Sequence, residues 1–132
     1  MMSSQIWIAI GAVIVVGALL FRGGSALARA LRAYSREGQL APLVDALEAL
    51  PEQRRLTEYD RAITTLWRDY QREAAARLVS ALVERHGDTR IAQYWLQEVR
   101  AVEPEIFASE IGAEFYQTHH NPQVAADCGK FG

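Results

Sequence analysis

An uninterrupted apolar run stands near the N-terminus, and helical periodicity of apolar positions appears only after it. The run Ile6–Phe21 contains sixteen residues without a charged or strongly polar side chain. As a helix it would be about 24 Å long, slightly short of the ~30 Å hydrocarbon core of a bilayer. Polar residues before it and Arg22 after it would reach the two interfaces. The run therefore predicts one transmembrane helix within residues 1–22.

A cleaved secretory signal peptide is the alternative interpretation of the apolar run. The tripeptide at 26–28, Ala-Leu-Ala, resembles a small-residue cleavage site. However, no Lys or Arg precedes the run, and Arg22 stands between the run and that site, which favours a retained anchor. A buried helix of a soluble domain is disfavoured, because no downstream segment is apolar enough to surround it.

One face of the predicted span contains small residues. Trp7, Gly11, Ile14 and Ala18 recur at helical spacing, and the glycine and alanine would let a second helix approach closely. These four residues are therefore candidates for helix packing within the membrane, although small residues are also common in spans without such a role. The span contains no ionisable side chain, which excludes a proton relay or an ion path through it.

Residues 23–38 predict a break and then a basic amphipathic helix next to the membrane. Gly23-Gly24 would end the span. The segment 26–37 places apolar and basic side chains on opposite helical faces: Leu27, Leu31 and Tyr34 on one, Arg29, Arg32 and Arg36 on the other. Together with Arg22, the basic face is suited to contact anionic lipid. Alternatively, the apolar face packs on the domain and the arginines are only solvated, and both interpretations can hold at once.

Charge is distributed unevenly along the chain, and this sets the predicted topology. The four arginines up to residue 36 precede the first acidic residue, whereas Glu37–Gly132 contains 10 basic and 16 acidic residues. Because arginine near a span favours the cytoplasmic side, we expect a single-pass protein of a bacterial inner membrane with a cytoplasmic C-terminal domain. A periplasmic domain stays open as the alternative. An acidic domain is a poor match for nucleic acid.

Residues 39–132 show apolar positions at intervals of three and four, as in amphipathic helices, and no long alternation with period two. Residues that favour helix ends set the predicted boundaries: Gly38, Pro42, Pro51, a capping box at Thr57–Asp60, Gly87, Asp88 or Thr89, Pro104 and Asn121-Pro122. Segment 52–55 reads as a turn, and one helix from Pro104 aligns Phe107, Ile111 and Phe115. We therefore predict an all-α chain: a transmembrane helix followed by a small domain of antiparallel helical hairpins, as a regular array or an irregular bundle.

The stretch Thr57–Asp88 has the spacing of a known helical repeat. Its two predicted helices carry apolar residues at fixed offsets: Tyr59, Ile63 and Leu66 in the first, Ala75, Val79 and Leu82 in the second. This pattern resembles a single tetratricopeptide repeat, with Gly87 where that family usually has proline. The next register would place Gln93 where an aromatic residue belongs, so only about one repeat is covered. The resemblance implies binding of a protein or peptide in a groove.

Residues suited to catalysis or metal binding are few. His119, His120 and Cys128 are the only clustered soft ligands, and the spacings typical of zinc sites are absent. The sequence contains no phosphate-binding loop, dinucleotide fingerprint or nucleophile elbow. We therefore expect no catalytic, cofactor-binding or metal-binding residue and no enzyme activity. A small metal- or thiol-dependent enzyme is the third alternative.

Aromatic residues are concentrated between positions 59 and 116, and two of them are candidates for contact with another protein. Neighbouring residues cannot share one narrow helical face. Leu66 and Trp95 lie in line with the apolar rows of their predicted helices. Their neighbours Trp67 and Tyr94 are therefore the expected interaction residues, since aromatic rings often anchor protein interfaces.

The expected function follows from the anchor and from the helical domain. We expect a non-catalytic single-pass membrane protein whose domain contacts other proteins, as an accessory subunit or as an assembly or scaffold factor of a larger membrane complex. Anionic lipid is the second expected partner, and neither nucleic acid nor a small-molecule substrate is expected. The alternative from a different class is a periplasm-facing helical adaptor in folding or envelope biogenesis.

Overall fold

The computed structural model describes residues 26–126, and every regular element in this range is a helix. The elements, in chain order, are α1 (26–37), α2 (Leu40–Glu48), α3 (Glu52–Arg68), α4 (Arg72–His86), α5 (Arg90–Val102), α6 (Pro104–Ile106), a π-helical turn (Phe107–Ile111), α7 (Ala113–His119) and α8 (Pro122–Ala126). The all-α class is thereby confirmed for the described part of the chain.

The predicted transmembrane segment lies outside the described residues. Ile6–Phe21, the packing candidates within it and Arg22 all precede residue 26. Between residues 26 and 126, no helix is long and apolar enough to cross a membrane. The anchor therefore stays a prediction from the sequence.

Helix α4 lies at the centre of the domain and is buried on several sides. Its buried residues are all small or apolar: Ala75, Ala76, Leu78, Val79, Ala81, Leu82 and Val83. α3 and α5 pack against α4 as antiparallel neighbours, and α2, α6 and the π-helical turn cover more of its surface. Because alanine lets neighbouring helices approach closely, α4 can pack against several helices at once.

Several predicted helix ends are confirmed. Gly38, with φ +74°, follows the last residue of α1. The hydroxyl of Thr89 caps α5 by accepting a hydrogen bond from Ala92 N over 3.3 Å. α6 begins at Pro104, and Asn121 precedes α8 and accepts a hydrogen bond from the backbone of that helix. These ends follow local rules of capping and backbone conformation, which is why the sequence alone indicated them.

The predicted start of α3 is wrong. α3 begins at Glu52 rather than at Thr57, and residues 52–55 form its first turn instead of a connecting turn. Pro51, with φ −54°, has the backbone angle that suits entry into a helix. The backbone N–H groups of Arg54 and Arg55 both donate to Pro51 O, over 2.9 and 3.0 Å. Thr57 is an exposed residue inside the helix, so the apparent capping box has no capping role.

The helix predicted from Pro104 does not continue as far as Phe115. A π-helical turn follows α6, and Gly112 N donates to Phe107 O over 2.8 Å. Gly112 then adopts φ +91°, a backbone conformation that other residues rarely adopt. Phe115 therefore lies on a separate helix, α7.

The predicted hairpin between residues 57 and 88 is present as α3 and α4. Its aligned residues are buried: Tyr59, Ile63, Leu66, Ala75, Val79 and Leu82. The helices that follow within residues 90–126 are shorter and include the π-helical turn, so they do not repeat this hairpin. The described residues thus give no evidence of a tetratricopeptide-like repeat.

Candidate interaction surface

Trp67, Tyr70 and Arg72 meet where α3 ends and α4 begins. The last turn of α3 closes with two backbone hydrogen bonds: Gln71 N donates to Leu66 O over 2.9 Å, and Tyr70 N donates to Trp67 O over 3.2 Å. In this Schellman pattern the residue after the cap adopts a left-handed conformation. Here that residue is Tyr70, with φ +60°.

Tyr70 is both conformationally strained and exposed. Glycine usually occupies such a position, because an L side chain raises the energy of the left-handed conformation by about 1–2 kcal/mol. The Tyr70 side chain is 83 % exposed, so burial in the core does not compensate for this strain. Strained residues that persist on a surface often belong to binding sites. This corner of the domain is therefore the first candidate for a functional site.

Arg72 connects Tyr70 with Trp67. Its guanidinium carbon lies 4.1 Å from the centroid of the Trp67 ring and 5.6 Å from that of the Tyr70 ring. Arg72 Nε donates to Trp67 O over 3.2 Å, and Nη1 donates to Glu103 Oε1 over 3.1 Å. The guanidinium group is thus held in place by α3 and by the residue before α6, and it partly covers Trp67.

Trp67 and Tyr94 are the two residues that the sequence predicts to contact another protein, and both contact Trp95. The Trp95 ring packs edge-to-face against both, with centroid distances of 5.7 Å to Trp67 and 5.3 Å to Tyr94. Trp95 is buried, as expected, and its indole N–H donates to Asp60 Oδ1 over 2.8 Å. Trp67 and Tyr94 are half-buried, and burial raises the pKa of Tyr94. We call the resulting series the aromatic row: Tyr94, Trp95, Trp67, Arg72 and Tyr70.

A groove of about 500 Å³ lies beside Tyr70, between the C-terminal end of α1 and the N-terminal end of α4. Tyr34 lines it and is buried, and its hydroxyl donates to Ala74 O over 2.7 Å. Burial raises the pKa of Tyr34 to about 12. Ser35 Oγ donates to Gln71 Oε1 over 2.8 Å. These contacts join α1 to the N-terminal end of α4 along the groove.

The guanidinium groups beside the groove are paired with carboxylates. Arg77 donates to both oxygens of Glu110, over 2.8 and 3.2 Å, and these hydrogen bonds raise the pKa of Arg77. Arg72 is bonded to Glu103. Because both positive charges are already neutralised, the groove is poorly suited to a free anion.

The predicted membrane-surface residues lie on α1, apart from Arg22, which is outside the described range. Leu27 and Tyr34 are buried and Leu31 is half-buried, so the apolar face of α1 packs on the domain. The opposite face is exposed and carries Arg29, Arg32 and Arg36.

The rings of the two adjacent histidines stack on different aromatic residues of α7. The His119 ring stacks on Phe115, with 4.0 Å between centroids, and the His120 ring stacks on Tyr116 at 4.6 Å. Among the described residues, no group of three or more His, Cys, Asp or Glu side chains could hold a metal ion. Cys128 lies outside those residues.

Sequence reasoning missed Tyr70 and Arg72. Residues 68–72 contain neither the glycine nor the proline that usually marks a helix end, so the sequence does not locate the boundary between α3 and α4. Tyr70 instead continues the apolar row of Tyr59, Ile63 and Leu66 at helical spacing, so the pattern predicts that it lies within the helix. The exposure of Tyr70 depends on tertiary structure and could not be inferred.

Comparisons with protein-family models, with curated proteins and with solved structures find no match to this chain. The fold and the surface therefore define only a class: an all-α domain with an aromatic row at the corner of a helical hairpin.

Proposed function

We propose that this chain is a membrane-anchored, non-catalytic protein whose helical domain binds another protein through the aromatic row and the adjacent groove. In this proposal it is an accessory subunit or an assembly factor of a larger membrane complex. The anchor is the segment Ile6–Phe21, and the domain lies on the cytoplasmic side.

The observation that carries the proposal is the exposed, left-handed Tyr70. A glycine at this position would relieve the strain, so the tyrosine is explained better by a use for its ring than by the stability of the turn. Its neighbours Trp67 and Arg72 belong, like Tyr70, to the residue types that most often dominate binding energy at protein interfaces. A cluster of all three at one corner favours protein binding.

The geometry also supports a preorganised surface. Arg72 is fixed by its hydrogen bonds to Trp67 O and Glu103, and Trp67 is fixed against Trp95. Side chains that are already ordered lose less conformational entropy when a partner binds. The row can therefore bind a partner without a large rearrangement of the domain.

Affinity purification of the full chain in mild detergent tests the proposal. Tyr70→Gly should abolish co-purification of the partner, because it removes the exposed ring while relaxing the backbone. Val102→Ala is the matched control, since Val102 is the other exposed large hydrophobic residue among those described, and it lies on a different helix. The proposal is wrong if Tyr70→Gly retains the same co-purifying proteins as the wild type.

A further inference from the structure

The basic helix α1 uses its two faces for different purposes. Leu27 is 7 % and Tyr34 is 1 % exposed, and Leu31 packs against the core. Tyr34 and Ser35 are also tied to the first turn of α4 and the residue before it through their hydroxyl groups. Because its apolar face is occupied by the domain, α1 is not free to insert that face into a membrane.

The arginines of α1 are exposed and lack acidic partners among residues 26–126. Arg29, Arg32 and Arg36 surround a shallow depression of about 250 Å³ together with Ala33 and Glu37, and none of the three forms an ion pair with a described residue. Most arginines elsewhere in the described domain pair with glutamate: Arg54, Arg55, Arg61, Arg72, Arg77 and Arg85. The positive charge of α1 is therefore available to a partner.

We propose that this face of α1 binds the phosphate groups of anionic phospholipids in the membrane that holds the anchor. The inference rests on the anchor of the proposed function. Only five peptide bonds join Phe21, the last residue of the apolar run, to residue 26, so α1 starts within about 17 Å of the end of the span. The three guanidinium groups complement anionic headgroups in charge and in hydrogen-bonding geometry.

The mode of contact is electrostatic, without insertion of apolar side chains. An amphipathic helix normally binds a membrane through its apolar face, and in α1 that face is already buried. Each arginine near an anionic surface favours contact by roughly fivefold, so three together favour it by about a hundredfold. Such contact weakens strongly with salt, and it orients the domain with α1 towards the bilayer.

Chemical modification of the full chain in nanodiscs tests this inference. One set of discs contains phosphatidylcholine alone and the other also contains phosphatidylglycerol. The rate of modification by phenylglyoxal is measured at each arginine by peptide mass spectrometry. Arg68, Arg85 and Arg100 are exposed on α3, α4 and α5 and serve as controls within the same molecule.

On anionic discs, modification of Arg29, Arg32 and Arg36 should slow by about tenfold or more relative to the controls. The protection should disappear at 1 M salt, where the Debye length is about 3 Å. Equal rates on the two types of disc would overturn the inference, as would protection that persists at high salt. Equal protection by inorganic phosphate on phosphatidylcholine discs would show that a free anion is the ligand instead.

Failure of the anchor has a different signature. The chain would then not remain with the discs during purification, which removes the basis of the lipid contact before any modification is measured. A chain that stays in the discs but shows no lipid-dependent protection refutes the lipid contact alone.

Discussion

His86 and Glu48 are 38 residues apart in sequence, yet His86 Nε2 lies 2.8 Å from Glu48 Oε2. The hydroxyl of Tyr59 also donates to Glu48 Oε2, over 3.1 Å. Because an ionised carboxylate can only accept hydrogen bonds, Nε2 of His86 carries the proton in this contact. One carboxylate at the end of α2 thus joins three helices, α2, α3 and α4.

Because of Glu48, the free energy of unfolding of the domain should fall as the pH is lowered in the acidic range. Burial opposes ionisation, but hydrogen bonds from His86 and Tyr59 outweigh it and hold the pKa of Glu48 below its ordinary value of 4.5. A lowered folded-state pKa stabilises the fold above the ordinary pKa, and that stabilisation is lost as the pH falls through the lowered value. Glu48→Gln should therefore lower the free energy of unfolding by about 1–2 kcal/mol at neutral pH.

Urea titrations followed by tryptophan fluorescence at a series of pH values measure this effect. The difference between wild type and Glu48→Gln should shrink in acid, because protonation removes the carboxylate from the wild type as well. A difference that stays constant well below the ordinary pKa would contradict the assignment.

Gln93 should be required to hold the C-terminal segment on the domain. Its side chain is fully buried, and its amide nitrogen donates to Gly87 O over 2.7 Å and to His119 O over 2.9 Å. Its amide oxygen accepts from Asn121 N over 3.0 Å. Gln93→Leu leaves these three backbone groups without their partner, so we expect the free energy of unfolding to fall by roughly 2–4 kcal/mol.

Hydrogen exchange locates the effect of Gln93→Leu. Backbone amides of α7 and α8 should exchange faster in the variant, whereas those of α4 should change less. Gln97→Leu is the control, because Gln97 is only half-buried and bonds side chains rather than backbone groups. If Gln93→Leu and Gln97→Leu lower the free energy of unfolding equally, the buried amide of Gln93 is not what holds the C-terminal segment on the domain.

Tyr70→Gly should increase stability while Tyr70→Ala should not. Glycine relieves the left-handed strain, which we expect to raise the free energy of unfolding by about 0.5–1 kcal/mol. Alanine keeps the strain and loses the contact of the ring with Arg72, so it should be neutral or slightly destabilising. Equal stability of the glycine and alanine variants would show that the backbone strain at residue 70 is negligible.

The proposed orientation predicts restricted access to the domain from outside the cell. Ala101 is exposed on α5, so a cysteine introduced there, with Cys128 replaced by alanine, is accessible on the domain surface. In intact cells this cysteine should resist a membrane-impermeant thiol reagent, and it should react after lysis. Ready labelling of intact cells would reverse the orientation and favour the periplasmic adaptor.

Local rules account for the parts of the fold that the sequence predicted. Gly38, Thr89 and Asn121 end or begin helices through backbone angles and caps that involve only nearby residues. The same rules gave the wrong start for α3, where two local signals for a helix start lie close together in the sequence. Thr57 has a capping signature, but Pro51 begins the helix six residues earlier. The packing of Tyr59 against α2 and α4 is compatible with either start.

The candidate surface was predicted only in part, because it depends on contacts between distant residues. Trp67 and Tyr94 could be selected from helical spacing, and both do reach the aromatic row. Their half-buried positions reflect packing on Trp95 and coverage by Arg72, neither of which spacing reveals. Replacement of Trp67 by alanine should consequently reduce stability as well as binding, which makes Tyr70 the better residue for separating the two.

The docking of α1 on α4 has a consequence during synthesis of the chain. Tyr34 reaches its acceptor on Ala74 only after 40 more residues have been made. At about 5–20 residues per second, this takes roughly 2–8 seconds, during which the apolar face of α1 has no α4 to cover it. If the preceding apolar run has already entered the membrane, α1 lies close to the bilayer surface during this interval. Its arginines are then the first residues of the domain to contact lipid.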